Sequence, residues 1–325
     1  MLKKLLIAAD VDPHLAEVAR SDGRFEVDVR PVRTEDELAS IVADAHVLVT
    51  RAYNKVSGRV IESARQLEVI AQGTSGTDNI DDAAARARGI PILSLPGENA
   101  NAVAELVIGC ILSLTRTIPF YTREVAAGRW PRQDCATRHE MRYFHLGIVG
   151  LGQVGMRVAR LARTFGMDVT AYDPYLTDAQ FAERQAGRVE SFDRLLASSD
   201  IVTMHVPLTS ETRRMIGRDP LQRMRRGTIL INAARGEVID QRAALDALAS
   251  NQLSGLVLDV FDPEPPEGPL PDDPRLILTP HIGGCTHECR SAIGDKLWKK
   301  ILRFYAEPER SEGEASTVTP RRSKP

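Results

Sequence analysis

Three residues in the second half of the chain have the side-chain types that reduction of a ketone requires: Arg235, Glu264 and His281. Such a reaction needs a cation that holds and polarises the carbonyl oxygen, and an acid that protonates the developing alkoxide. The planar guanidinium of Arg235 can bind a carboxylate and the carbonyl beside it. The imidazole of His281 can exchange a proton near neutral pH, and the Glu264 carboxylate can orient it and keep it cationic. We therefore interpret the three residues as one catalytic set.

Residues 145–173 have the order strand, glycine turn, helix, strand and acid, which is typical of dinucleotide binding. Gly150 would permit the tight turn, Gly152 the close approach of a pyrophosphate, and Gly155 close packing of the helix on the strand. The N-terminus of that helix offers N–H groups and a positive dipole to the phosphates. Asp173 would accept hydrogen bonds from a ribose 2′-hydroxyl and repel a 2′-phosphate. The segment therefore predicts NAD as the cofactor rather than NADP.

Other residues at strand ends are candidates for the same site, because ligands bind outside the carboxyl ends of the strands in open parallel sheets. Asp259 is placed to accept a hydrogen bond from the nicotinamide carboxamide. His205, which precedes Pro207, is expected to line the cofactor cleft or to cap a turn rather than to exchange protons. Taken singly, a strand-end arginine or a histidine next to proline is typical of a surface loop. Their occurrence on successive strands favours a reaction centre.

Apolar runs of strand type alternate with helical patterns along the chain, which predicts parallel α/β layers. We expect strands at 5–9, 25–30, 47–50, 69–72, 90–93, 169–172, 201–206, 228–232, 256–260 and 276–279, besides the one before the glycine turn. An apolar helix is expected at 99–117 and a returning helix at 288–305. The predicted fold is a Rossmann-type doubly wound parallel sheet inserted in a second, smaller flavodoxin-like α/β domain. Its parts are a substrate-binding domain (1–98 and 286–306), an NAD-binding domain (99–285) and a disordered tail (307–325).

Composition places the chain among ordinary soluble globular proteins of two domains, with 325 residues, 43% hydrophobic and 26% charged. The net charge of −2 gives no indication of nucleic acid or an anionic membrane surface as a partner. Neither a signal peptide nor an apolar run of bilayer length is recognisable. The four cysteines form no disulfide framework, so we expect a cytoplasmic protein.

A metal site is the competing interpretation for the segment that contains His281. Metal-capable side chains follow it at Cys285, His287 and Cys289, and spacing of four residues would place the two thiols on one helix face. The tight paired motif of a structural zinc site is missing, and His281 has a better use as an acid. We therefore expect no metal, and buried thiols on an amphipathic helix.

The motifs GLGQVG with Asp173, HVPLT with Thr212, NAARG, DVFDPEP and TPHIGG together resemble the D-isomer-specific 2-hydroxyacid dehydrogenases, in a short form without a regulatory domain. The resemblance runs from about residue 47 to residue 305 and implies Arg235, Glu264 and His281 as the catalytic residues. It implies D-stereospecificity, which the residues themselves do not report. The cofactor contacts that follow from the motifs are Gly150, Gly152, Gln153, Val154, Gly155, Asp173, His205, Val206, Pro207, Thr212, Ala233, Ala234, Arg235, Asp259, His281 and Gly283.

The resemblance also implies a substrate-binding loop and a dimer. In such enzymes the loop that matches Gly73-Thr74-Ser75-Gly76 holds the substrate carboxylate with backbone N–H groups, and Arg51 matches a position that can meet a phosphate. The helix near residues 99–117 commonly forms a homodimer interface. Members similar to phosphoglycerate dehydrogenase usually have arginine where this chain has Gln72, which weakens the case for a phosphorylated substrate. Residues 137–144 also differ from the sequence that usually precedes the glycine turn in this family.

Three functions are compatible with these residues. The leading interpretation is NAD-dependent interconversion of a small 2-keto acid and its D-2-hydroxy acid, such as glyoxylate, hydroxypyruvate or 3-phosphoglycerate. A corepressor-like protein that senses NAD(H) without catalysis is the second, and the complete acid–base set argues against it. The third is oxidation of a phosphite-type anion; a formate-type substrate is disfavoured because Glu264 stands where those enzymes usually have glutamine.

Overall fold

The computed structural model describes residues 2–133 and 138–306, and the chain divides into two compact units. The first unit runs to Leu95 and resumes at Ser291, and the second runs from Pro96 to Arg290. The predicted tail at 307–325 and the thiol of Cys135 lie outside the described residues. The first unit is thus discontinuous in sequence, with the second inserted in it.

The first unit contains a five-stranded parallel sheet. Its strands are β1 (Lys3–Ile7), β2 (Phe25–Val29), β3 (Val47–Thr50), β4 (Val69–Gln72) and β5 (Ile92–Leu93), in the order β2-β1-β3-β4-β5. The helices between them are α1 (Pro13–Ser21), α2 (Glu35–Ile41), α3 (Gly58–Ser63) and α4 (Asp82–Ala87). Strands β3 and β4 are buried at every position, as expected for central strands of a parallel sheet.

Polar side chains fix where these helices begin. Asp12, Ser57 and Asp81 each accept a hydrogen bond from a backbone N–H in the first turn of the helix that follows. Thr34 and Glu37 form a reciprocal capping box at the start of α2. Each helix carries the chain back across the sheet, so that the strand that follows it runs parallel to its neighbours.

The second unit contains a seven-stranded parallel sheet. Its strands are β6 (His145–Val149), β7 (Asp168–Tyr172), β8 (Gly187–Arg188), β9 (Ile201–Met204), β10 (Thr228–Asn232), β11 (Leu253–Leu258) and β12 (Leu276–Leu278). Its α-helices are α5 (Ala100–Thr115), α6 (Ile118–Ala126), α7 (Gln153–Thr164), α8 (Asp178–Glu183), α9 (Phe192–Ser198), α10 (Arg218–Arg223) and α11 (Gln241–Ala249). The strand order is β12-β11-β10-β9-β6-β7-β8, so the chain leaves β6 first in one direction and then in the other. One apolar core contains Ile148 and another contains Val149, as the two faces of a doubly wound sheet require.

The last helix, α12 (His287–Ala306), contributes most of its length to the first unit. There Trp298 and Tyr305 both pack edge-on against Phe25. The Tyr305 hydroxyl donates to Glu68, and Lys3 forms an ion pair with the same carboxylate. These contacts attach the returning helix to the sheet built from the N-terminal part of the chain.

The predicted fold class is confirmed, and several strands begin or end up to three residues from their predicted bounds. Two further local expectations are wrong. The helix expected at 99–117 ends at Thr115, and a second helix, α6, begins at Ile118 after Thr117, which has a left-handed backbone (φ 50°). Cys285 is exposed and lies before α12, because its N–H donates to Ile282 O in a turn that precedes the helix. Cys285 and Cys289 therefore do not share a helix face, although Cys289 is buried as expected.

Within residues 2–133 and 138–306, no single helix is long and apolar enough to cross a membrane; the bent pair of α5 and α6 meets that criterion only jointly. The described part of the chain also contains no group of three or more His, Cys, Asp or Glu side chains arranged to hold a metal ion.

Candidate active site

The carboxyl ends of six neighbouring strands in the second unit carry the predicted catalytic and cofactor-binding residues. The loop after β6 contains Gly150, Gly152, Gln153, Val154 and Gly155; Asp173 follows β7; His205, Val206, Pro207 and Thr212 follow β9; Ala233, Ala234 and Arg235 follow β10; Asp259 and Glu264 follow β11; His281 and Gly283 follow β12. Since all these strands are parallel and adjacent, their loops form one row along a single edge of the sheet.

Each of the three glycines in the turn after β6 is glycine for a different structural reason. Gly150 has a left-handed backbone (φ 88°), and a Cβ there would lie 2.7 Å from the carbonyl oxygen of His205. A Cβ on Gly155 would lie 2.2 Å from the carbonyl oxygen of Gly150. A Cβ on Gly152 would meet no atom within 4 Å. The fold itself thus requires Gly150 and Gly155, whereas the space beside Gly152 is available to a ligand at the N-terminus of α7, where a pyrophosphate would bind.

We expect Gly152→Ala to leave the Tm within about 3 °C of the wild type, since the methyl group meets no atom and only an N-cap preference is lost. The same methyl group would occupy the space of a pyrophosphate, so NADH should bind at least about tenfold more weakly. Gly155→Ala is the contrast and should lower the Tm. Thermal unfolding and NADH fluorescence titration measure both effects, and unchanged NADH affinity in Gly152→Ala would contradict this placement of the phosphates.

Asp173 lies beside the glycine turn with both carboxylate oxygens oriented by the backbone. Its Oδ2 accepts from Leu151 N at 3.1 Å and its Oδ1 from Tyr175 N at 3.1 Å. Each oxygen keeps a lone pair with which it can accept from a ribose hydroxyl. Arg184, which the sequence did not indicate, donates from Nη1 to Leu151 O at 2.5 Å and so supports the same turn. The turn and its acid therefore fit the adenosine half of NAD.

His205 lies next to Gly150 and interacts with the chain through its Nε2, 3.0 Å from the Thr203 hydroxyl. Burial lowers the pKa of the His205 imidazole to about 3. The ring is therefore neutral near pH 7, and its contribution is limited to packing and hydrogen bonding beside the glycine turn.

His281 and Glu264 form a direct pair, with 2.7 Å between His281 Nδ1 and Glu264 Oε1. The side chains are 35% and 42% exposed, respectively, so a substrate can reach them. Because Nδ1 is engaged by the carboxylate, Nε2 is the nitrogen that can deliver a proton. The pair has the geometry of an oriented general acid.

The backbone around His281 is held by Asp259, which is 1% exposed. His281 has a left-handed conformation (φ 54°), and its N–H donates to the carbonyl oxygen of Asp259. The Asp259 carboxylate accepts from the Thr279 hydroxyl and Ile282 N on Oδ1, and from Gly283 N on Oδ2. Asp259 thus fixes the loop that carries the acid, whereas its predicted contact with a nicotinamide remains a prediction.

Arg235 is positioned by Asn232, a fully buried residue that the sequence did not indicate. Asn232 Oδ1 accepts from Ala234 N at 3.1 Å, and its Nδ2 donates to Arg235 O at 2.8 Å. The next residue, Gly236, is in such close contact with Phe261 that a Cβ would lie 1.9 Å from the carbonyl oxygen of Phe261. An amide that ends an otherwise apolar strand was the available signal for Asn232.

The predicted substrate-binding residues lie in the first unit, after two of its adjacent strands. Arg51 follows β3, and Thr74, Ser75 and Gly76 belong to the loop after β4. The buried amide of Gln72 organises this loop: its Nε2 lies 2.8 Å from Thr74 Oγ1 and 3.1 Å from Gly76 O. Ser75 Oγ donates to the backbone of Leu95.

Gln72 is also connected to the strands around it. Its Oε1 accepts from the Thr50 hydroxyl at 2.7 Å, and its Nε2 donates to Asn79 Oδ1 at 2.8 Å. Asn79 in turn donates to the carbonyl oxygens of Arg51 and Asn54. All the hydrogen-bond partners of the Gln72 amide among the described residues are therefore uncharged, and none of them is a carboxylate that could pair with a cation at this position.

Comparison with known proteins gives a consistent set of relatives. Residues 108–283 match the sequence model of the family described as D-isomer specific 2-hydroxyacid dehydrogenase, NAD binding domain. A D-3-phosphoglycerate dehydrogenase of Archaeoglobus fulgidus is 36% identical over 306 residues, which cover 93% of this chain and 57% of that protein. A hydroxypyruvate reductase of Thermotoga maritima is 35% identical over 273 residues, which cover 83% of this chain and 88% of that protein.

Solved structures agree with these sequence matches. The D-lactate dehydrogenase of Aquifex aeolicus, determined with NAD and lactic acid, superposes with a TM-score of 0.81 at 27% identity, covering 94% of this chain and 96% of that one. The chain spans 57% of the length of the A. fulgidus protein but most of the length of the reductase and of the lactate enzyme.

Proposed function

This chain belongs to the D-isomer-specific 2-hydroxyacid dehydrogenase family, and we propose that it interconverts a small 2-keto acid and its D-2-hydroxy acid. Its residues 108–283 match the NAD-binding domain of the family, so NAD is the cofactor. The observation that carries the proposal is the 2.7 Å contact of His281 with Glu264, on the sheet edge that also bears Arg235 and the glycine turn.

The proposed roles follow from the chemistry of each side chain. NADH, when bound, supplies the hydride that reduces the keto carbon. Arg235 binds the substrate carboxylate and polarises the keto oxygen through its fork of N–H donors. His281 Nε2 gives its proton to the oxygen as negative charge develops there, and Glu264 stabilises the imidazolium before the transfer. In the oxidative direction the same imidazole accepts the proton.

For the substrate, we propose a short 2-keto acid without a phosphate group, of the glyoxylate or hydroxypyruvate kind. We assign the backbone of Thr74, Ser75 and Gly76 to the substrate carboxylate, and Arg51 to the hydroxymethyl end of a substrate such as hydroxypyruvate. Neutral, buried Gln72 supports the unphosphorylated substrate, because it shapes the loop without adding positive charge.

The function is tested by the absorbance of NADH at 340 nm with the full chain and a set of 2-keto acids: glyoxylate, hydroxypyruvate, pyruvate and 3-phosphohydroxypyruvate. We expect turnover of at least one unphosphorylated acid and a lower kcat/KM for the phosphorylated one. Tight NADH binding without turnover of any acid would reject the enzyme and favour an NAD(H)-sensing protein. A preference for the phosphorylated acid would reject only the substrate assignment.

We further propose a homodimer, through the region of α5 and α6. The apolar side of α5 is covered by the core of its own unit, whereas α6 has no buried residue. Large apolar side chains in and just after α6 are exposed: Ile118 49%, Val125 51% and Trp130 76%. A contiguous exposed apolar patch is typical of an interface, and we infer that these side chains form one.

We expect the wild type to elute as a dimer in size-exclusion chromatography with light scattering, and Trp130→Ser with Val125→Ser to shift it toward the monomer. Phe165→Ser, at an apolar residue that is 44% exposed after α7, is the matched control and should not change the mass. A monomeric wild type, or an unchanged dimer in the double variant, would contradict this interface.

A further inference from the structure

We propose that Thr279 is a positioning residue for the general acid: its hydroxyl holds the Asp259 carboxylate in the orientation that fixes the loop of His281. This inference rests on the proposed function, in which His281 delivers the proton. Thr279 has no expected contact with cofactor or substrate, and its effect passes through Asp259.

The first observation is the geometry of the Asp259 carboxylate. Thr279 Oγ1 donates to Asp259 Oδ1 at 2.7 Å, and Ile282 N donates to the same oxygen at 2.8 Å. Gly283 N donates to Oδ2 at 2.9 Å. The Asp259 carboxylate therefore accepts hydrogen bonds from the hydroxyl two residues before His281 and from the first two backbone N–H groups after it. Loss of the hydroxyl removes the only side-chain donor among these three.

The second observation is the backbone that this carboxylate holds. A left-handed conformation at a residue with a Cβ, such as the φ of 54° at His281, persists only where its surroundings impose it. His281 N is bonded to the carbonyl oxygens of Asp259 and Thr279 at 2.8 and 2.9 Å. The same two residues, Asp259 and Thr279, therefore constrain the main chain of His281 and are joined to each other through their side chains.

The third observation is the apolar environment behind Asp259. A Cβ on Gly283 would lie 2.9 Å from Asp259 Oδ2 and 3.3 Å from a methyl group of Val103 on α5. Burial, with a smaller contribution from the Asp259 charge, raises the pKa of the Cys110 thiol to about 11. Because Asp259 is 1% exposed, water cannot readily replace a lost donor. The carboxylate would instead turn, and the loop of His281 would turn with it.

The structural half of the proposal is tested without cofactor or turnover, by amide hydrogen exchange of the peptide that contains residues 279–284. In Thr279→Val, which keeps the shape and loses the hydroxyl, we expect exchange of Ile282 N and Gly283 N to be at least about tenfold faster. Thr279→Ser keeps the hydroxyl and should restore wild-type protection. Protection of β10 (Thr228–Asn232) serves as the control for general destabilisation. Unchanged protection of the loop in Thr279→Val would overturn the proposal.

The functional half of the proposal is tested by measuring kcat and the NADH Kd separately in each variant. We expect Thr279→Val to lower kcat about tenfold, with recovery in Thr279→Ser. The NADH Kd should rise by less than that factor, because Asp259 is also a predicted cofactor contact and its carboxylate would turn. An unchanged kcat, or a loss that appears mainly as weaker NADH binding, would overturn the positioning role. If the wild type turns over no keto acid, the proposed function fails, and the exchange experiment still decides whether Thr279 fixes the loop.

Discussion

His281→Ala is expected to lower kcat for keto-acid reduction by about 10³-fold, because the alkoxide then loses its proton donor. The tertiary structure should be retained, since the His281 side chain is partly exposed and its only described side-chain partner is Glu264. Stopped-flow or steady-state NADH absorbance measures the loss, and NADH fluorescence shows that the cofactor still binds.

His287→Ala provides the matched control for that variant. His287 is exposed at the first position of α12, six residues beyond His281, and has no role in the proposed mechanism. Its kcat should equal that of the wild type. Comparable losses in the two variants, or a kcat in His281→Ala within tenfold of the wild type, would show that His281 is not the acid.

Gln72→Arg is expected to destabilise the first unit by about 3–5 kcal/mol, because it puts a charge in a fully buried position that a neutral amide now occupies. The Thr50 hydroxyl would lose the oxygen to which it donates. Within the described part of the chain, the three oxygens to which the Gln72 amide donates belong to a hydroxyl, a backbone carbonyl and an amide, so none of them carries a charge that would stabilise a guanidinium. The Tm should fall by roughly 10 °C. Calorimetry measures this, and the arginine should not create useful turnover of 3-phosphohydroxypyruvate.

Two variants separate the charge from the lost hydrogen bonds at this position. Methionine has a similar shape to glutamine without its amide. Gln72→Met should lower the free energy of unfolding by about 2 kcal/mol, because the polar groups that bond to the amide lose their partner. Gln133→Arg adds the same charge at an exposed glutamine and should leave the Tm unchanged. A stable Gln72→Arg that reduces the phosphorylated acid well would contradict both the packing argument and the substrate assignment.

The sequence predicted much of the architecture because hydrophobic periodicity reports burial. The bounds of β3 and β4 were predicted to the residue, since both strands are buried at every position. The break between α5 and α6 was missed, because one residue, Thr117, adopts a left-handed backbone that periodicity cannot indicate. The two-residue strand β8 is too short to leave a pattern.

For the site, motifs predicted which side chains matter but not what holds them. The family and the cofactor are confirmed by the comparisons, whereas the individual site residues remain predictions. Asn232, Thr279 and Gln72 act through hydrogen bonds to residues that periodicity does not relate to them. Such contacts depend on how loops from neighbouring strands meet, so only the folded structure indicates them.

The most direct test of the central claim follows the hydride and the product together. The full chain is supplied with NADH that carries deuterium at both C4 positions of the nicotinamide, and with hydroxypyruvate or pyruvate, whichever it accepts better. The product is analysed by mass spectrometry and chiral chromatography, since the products of these two acids, unlike glycolate, have a stereocentre at C2. We predict the D-2-hydroxy acid with deuterium at C2 from the wild type, and almost none from His281→Ala in the same time. A product without deuterium, a product of L configuration, or equal amounts from the two proteins would contradict the mechanism.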